Sequence, residues 1–292
     1  MKTTFSVILI PFVLAGCQFS KSVKKDFASG ITTTGNNLTC EDIYLTVNDE
    51  KITRNSFIYG ETFYTNFSDI KGFTKEKENV FPGMEMIVIN QAGDTVFQNN
   101  DIYLGSTGGV NYSPLLLTAD LTLAAPIKSK GDYTLLINIW DKKGNGTFTS
   151  KFDFKVKENK QIAVESSNVS FDEVYLFSQS NYKVITDNKI KYNDNIHIII
   201  EGLKGFKEED GLVFPGLSIK ATDAADNTVL ESDDLFLDYS TTGIATSDLA
   251  ARVSAHFNIT GTQFNNPLHC EMTVWDKKSD ARIKATTNMT LE

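Results

Sequence analysis

Histidines, cysteines and clustered carboxylates are the side chains here that could do chemistry near neutral pH, and the first two are scarce. His197, His256 and His269 are the only histidines among 292 residues. Such rings can shuttle protons or ligate a metal. Each falls in a segment of alternating polarity, and none keeps the Cys or Asp spacing of a zinc site, so strand-surface positions are expected for all three. No Gly-x-Ser-x-Gly elbow offers a nucleophile. Carboxylates gather at Glu208-Glu209-Asp210 and Asp233-Asp234, but acid and base work needs a fixed separation inside a cleft. The expectation is a protein without enzymatic activity. An enzyme with its site at a domain junction, using His197 or Glu208 to Asp210, is the alternative.

Oxygen-rich stretches make calcium a candidate cofactor. Asn90, Asp94, Asn99, Asn100 and Asp101 recur in kind as Asp223, Asp226, Asn227, Asp233, Asp234 and Asp238. Ca²⁺ takes six to eight oxygens, which converging acidic loops can supply. The same residues also build tight turns, and no EF-hand spacing is present, so turns are the competing reading. Asp101 and Asp234 are the first ligands to test. Trp140 and Trp275 are the candidate binding residues: each ends a strand on the face opposite Leu135, Ile137 and Ile139, or Cys270, Met272 and Val274. An outward aromatic can stack on a sugar or a protein partner. Covering its own sheet is the structural alternative.

These residues are placed by a duplication. Val80-Phe81-Pro82-Gly83 returns as Val213-Phe214-Pro215-Gly216, and Trp140-Asp141-Lys142-Lys143 returns as Trp275-Asp276-Lys277-Lys278. Ahead of them Tyr59 matches Tyr192 and Gly72-Phe73 matches Gly205-Phe206, and between them Asp101 matches Asp234, so one domain is written twice. Within each copy the polarity alternates with period two: Ile43, Leu45, Val47; Phe63, Thr65, Phe67 against Ile196, Ile198, Ile200; Met84, Met86, Val88 against Leu217, Ile219, Ala221. Leu121, Leu123 and Ala125 are matched to Ala255, Phe257 and Ile259. Gly, Asn and Asp separate the segments, which is the hairpin signature. About seven strands in roughly 120 residues resembles the immunoglobulin-like or fibronectin-like class. The fold expected is all-β: two tandem immunoglobulin-like antiparallel β-sandwiches, over residues 39–158 and 171–292, with a polar linker at 159–170 that need not be rigid.

The N-terminus carries an address. Phe5 to Leu14 is an apolar run too short to span a bilayer, after a charged start. Leu14-Ala15-Gly16-Cys17 closes it and resembles the lipobox of bacterial lipoproteins. That resemblance implies a signal peptide over 1–16 and a mature N-terminus at Cys17 carrying a diacylglycerol on sulfur and a further acyl chain. Two or more chains anchor stably. Residues 17–38, rich in Ser, Lys, Thr and Gly, read as lipidated Cys and flexible tether. Gln18, in place of Asp, points by analogy to the outer membrane of the cell envelope. The net charge of -9 repels phosphate-rich partners, so nucleic acid is not expected. An oxidising envelope would allow Cys40 and Cys270 to pair; two unpaired thiols are the favoured reading, since Cys270 matches the core residue Leu135. The function expected is non-catalytic binding, adhesion or assembly at a membrane, with a protein partner; a glycan-binding accessory lipoprotein using Trp140 and Trp275 is the alternative.

Overall fold

The computed structural model describes residues 21–26, 29–260 and 265–292. Cys17 and the signal segment lie outside the described residues. Strands are β1 (Lys21–Lys25), β2 (Thr32–Asn36), β3 (Asp42–Val47), β4 (Glu50–Ile52), β5 (Ser56–Ile58), β6 (Thr62–Ser68), β7 (Pro82–Asn90), β8 (Thr95–Asn99), β9 (Leu116–Thr122), β10 (Gly131–Asp141) and β11 (Thr147–Lys157) in the first copy. The second copy continues with β12 (Ile162–Ser167), β13 (Glu173–Ser178), β14 (Lys183–Ile185), β15 (Lys189–Ile190), β16 (Asn195–Glu201), β17 (Leu212–Val213), β18 (Pro215–Thr222), β19 (Thr228–Ser232), β20 (Ile244–Ala245), β21 (Val253–Asn258), β22 (Leu268–Asp276) and β23 (Arg282–Leu291). A single turn of helix, α1 (Thr246–Ala251), precedes β21.

Alternation makes these strands two-faced, and the apolar faces close on each other. In the first copy the sheet β1-β2-β11-β10-β7-β8 faces the sheet β4-β3-β6-β9; in the second, β12-β23-β22-β18-β19 faces β14-β13-β16-β21. The chain is therefore two β-sandwiches of immunoglobulin-like kind. Apart from β1, which the second copy lacks, the order of these sheets is the same, down to β5 and β15, which pair parallel with β11 and β23. A bulge also recurs, between Val88 and Ile89 in one copy and Ala221 and Thr222 in the other. The first core is aromatic: Phe57 stacks on Phe63 at 4.6 Å, with Phe152 and Phe154 edge-on. The second fills the same layers with Ile190, Ile196 and Met289. Cys40 and Cys270 are buried and unpaired, one in each core.

The structure corrects the sequence reading in four places. Residues 21–25 and 32–38 are not tether: β1 pairs with β2 and β2 with β11, and Ile31 and Leu38 are buried. The Thr run there is β-branched, and the open edge of β11 offers it hydrogen bonds. Residues 162–167, expected in the linker, form β12 on the matching edge of β23. Each sandwich carries more than seven strands, because edge pieces such as β4 and β14 have only three residues and show no period. Leu121 corresponds to Phe257 rather than Ala255, since Leu121 opposes Phe63 and Phe257 opposes Ile196.

The join is packed. Only residues 158–161 separate β11 from β12, too few to hold the sandwiches apart. Tyr59 lies 5.4 Å ring to ring from Tyr175, which is buried with Ile199 against the first core. Ser129 donates its backbone N–H to the buried Glu173 at 2.7 Å, and Lys128 pairs with Asp172 at 2.8 Å. Gly60 leaves room for Val184: a Cβ there would sit 2.3 Å from it.

Candidate binding surface: two clamped loops

The repeated motif residues meet at one end of each sandwich. Asp141, at the end of β10, is buried; its Oδ2 accepts the Thr74 N–H at 2.7 Å and its Oδ1 the Lys143 N–H at 2.9 Å. Asp276 repeats this with Lys207 at 2.7 Å and Lys278 at 3.0 Å. A buried carboxylate accepting two amides fixes both turns at once. Gly72 and Gly205 take φ of +104° and +109° just before those turns, with the backbone oxygens of Asn37 and Asn168 where a Cβ would stand.

The second lysine-bearing step clamps a loop. Lys142 reaches Asp101 Oδ2 at 2.7 Å and donates to the Tyr103 carbonyl at 3.0 Å. Asp101 Oδ1 accepts the N–H groups of Met84 at 3.1 Å and Tyr103 at 3.0 Å. Lys277 and Asp234 make the same pair at 2.7 Å, with Leu217 and Phe236 donating to Asp234 at 3.2 and 2.9 Å. Burial alone would raise both carboxyls; the lysines and the amides outweigh it and hold Asp101 and Asp234 below the ordinary value. Both oxygens of each carboxylate are thus engaged by donors of the protein itself.

The far end of each loop is pinned by the other repeated motif. Val80 exchanges two backbone hydrogen bonds with Val110, at 2.9 and 2.8 Å, and Val213 pairs with Ile244 in the equivalent place. Lys143 and Lys278 lie over the rings of Phe81 and Phe214 at 4.8 and 4.6 Å. What the clamp presents is apolar: Leu104 is 74% and Tyr112 75% exposed, and in the second copy Leu237 is 67% exposed beside Leu235 and Tyr239. The loops pinned on the two sandwiches thus expose Leu104 and Leu237 at corresponding places, while Tyr112 and Tyr239 stand at different points of their loops. Sequence reasoning passed over them because apolar residues scattered among Gly, Ser and Thr show no period.

Trp140 and Trp275 do face outward, and each is half-buried on a glycine. Trp140 opposes Gly83 and Trp275 opposes Gly216 across the sheet. A Cβ on either glycine would stand 2.1 or 2.2 Å from the ring, so each indole lies flat on bare backbone. This explains why Gly closes the Val-Phe-Pro-Gly motif. His197 and His256 are cross-strand neighbours, stacked at 5.2 Å, with Ser254 at 2.9 Å from His197 Nδ1; His269 lies on the other sheet, 2.9 Å from Asn288. Burial, then the charges of His256 and Arg252, holds His197 below its ordinary value.

The remaining carboxylates serve turns. Asn90 and Asp94 bond each other, as do Asp223 and Asn227, while Asn99 accepts the Asp101 N–H. A cleft opens at the join between the Asn48-Asp49 turn and Lys183-Val184; Glu209, paired with Lys207 at 3.1 Å, and Glu208, accepting from Thr246 at 2.8 Å, both lie outside it. His197 is not in that cleft either. Among the described residues no three His, Cys, Asp or Glu side chains gather as a metal site, and no helix is long and apolar enough to cross a membrane.

No family model matches the chain, and no curated protein does. Among solved structures it is similar to the C-terminal domain of Wzt, at 11% identity and a TM-score of 0.30, over 48% of this chain and 79% of that one. It is also similar to fibronectin(III)-like modules of CbhA from Clostridium thermocellum, at 10% identity and a TM-score of 0.20, over 85% and 94%. The C-terminal domain of the Streptococcus pyogenes antigen I/II-family protein AspA matches at 15% identity and a TM-score of 0.24, over 85% and 99%. Similarity at this level carries no argument about what the chain does.

Proposed function

We propose that this chain is a lipid-anchored cell-envelope protein with a non-catalytic role, whose two sandwiches hold a protein partner through their clamped loops. The observation that carries the reading is the pairing of an identical clamp with exposed Leu and Tyr side chains that differ in order between the copies. A scaffold kept twice with unlike tips suits two contact points on one partner, where linkage raises avidity without new contacts. Tyr at such tips brings contact area at low entropy cost, and the exposed Leu side chains add apolar surface beside it. The lipobox-like Leu14-Ala15-Gly16-Cys17 supports the anchor, and Gln18 supports the outer membrane as its destination.

Two experiments test the two halves. Cys17→Ser is expected to abolish incorporation of labelled palmitate and release the protein from the membrane fraction; unchanged fractionation would remove the anchor from the reading. A photo-crosslinking residue at position 104, 112 or 237 in living cells is expected to capture one discrete partner, which the same probe at the exposed position 165 on β12 does not capture. Equal capture from position 165, or none from the loops, contradicts the loop reading.

A further inference from the structure

The packed join leaves a cleft of ≈ 530 Å³ that neither sandwich forms alone. One wall is the Asn48-Asp49 turn with Thr62 and Tyr64 of β6; the other is the hairpin through Asn181, Lys183 and Val184, closed by Lys189 and Lys191. Val184 seated on Gly60 makes the floor. The size lies within the roughly 300–1,000 Å³ of small-molecule sites, which favour domain interfaces.

Comparison of the copies shows that the cationic wall belongs to the second alone. Because Leu45 opposes Ile52 and Leu176 opposes Ile185, Lys183 stands where the first copy has Glu50. Because Val156 opposes Phe57 and Leu291 opposes Ile190, Lys189 and Lys191 stand where it has Ser56 and Ile58. The charges do not sum to an anion site. Lys189 is held by Glu292 and Glu61 by Arg54, which leaves Lys183 and Lys191 facing Asp49, Asp187 and Asp194. Asp194 accepts from Ser178 and Asn181, and Asp187 accepts the Lys189 N–H.

Donors and acceptors thus mix around a cleft that, with Glu61 paired to Arg54, is left slightly acidic by three lysines against four further carboxylates, and Tyr64 is 39% exposed on its wall. A hydroxyl donates and accepts at once, so a ligand dense in hydroxyls satisfies both kinds of group, and a pyranose also offers an apolar face to an aromatic ring. We infer that the cleft at the join binds a neutral oligosaccharide, with Tyr64 as its stacking surface and Lys183, Lys191, Asn48 and Asp49 as its hydrogen-bonding rim. This site is separate from the clamped loops and does not depend on them.

The test is an array of neutral glucose, mannose and N-acetylglucosamine oligosaccharides, with oligogalacturonate as the charged comparison, probed with the full chain and followed by titration calorimetry. The expected result is saturable binding of a neutral oligosaccharide, weakened about tenfold or more in Tyr64→Ala and in Lys183→Ala, at an unchanged melting temperature. Leu104→Asp, in the loop, is expected to leave this binding intact. Silence across the array, preference for oligogalacturonate, or binding that survives both cleft variants would overturn the inference.

Discussion

Each repeated letter answers to a contact of its own. Gly216 is small because the Trp275 ring lies where its Cβ would be. Gly216→Ala is therefore expected to lift the indole from the sheet and cost about 1–3 kcal/mol, the usual range for overpacking. Thermal unfolding and a red shift of tryptophan emission check this. An unchanged melting temperature and spectrum would mean that the ring does not rest on that backbone. Trp itself was legible as an outward residue from alternation alone. Its glycine was not, because a cross-strand partner is set by register, which no local pattern states.

At the scale of elements, the clamp and the histidine pair respond to acid in separate windows. Asp101 and Asp234 sit below the ordinary value of 3.8, so their contribution is complete above that pH and is lost as pH falls through their lowered values. His197 sits below 6.5, so protonation favours the unfolded chain, and stability begins to fall once pH drops beneath 6.5. Melting temperature is expected to decline first as pH drops beneath 6.5, and again as it drops beneath 3.8. The first step should vanish in His197→Gln and the second should remain. A first step that persists in His197→Gln would assign it to other groups. Period-two alternation made the long strands readable, as in Leu135, Ile137 and Ile139. It could not reveal β2, whose Thr and Gly residues copy the composition of a tether, nor the loops, whose order comes from distant lysines.

At the scale of the whole molecule, the copies differ most where they touch. Tyr175 is buried at the join while Tyr44, its counterpart opposite Asn66 as Tyr175 is opposite Ile199, stays only partly covered. The polar stretch at 159–170 concealed this packing, since the apolar partners lie on strands far from it in sequence. Val184→Asp is expected to part the sandwiches without unfolding either, raising the radius of gyration in solution scattering; an unchanged radius would mean that the join is held elsewhere. The account as a whole rests on the claim that the doubled motifs exist to hold loops. Amide hydrogen exchange of the Asp101→Asn, Lys142→Met double variant measures this most directly. The account predicts faster exchange across residues 101–112, with protection kept in β10, β11 and the entire second sandwich. Unchanged exchange in that loop, or loss of protection throughout the first sandwich, would contradict it.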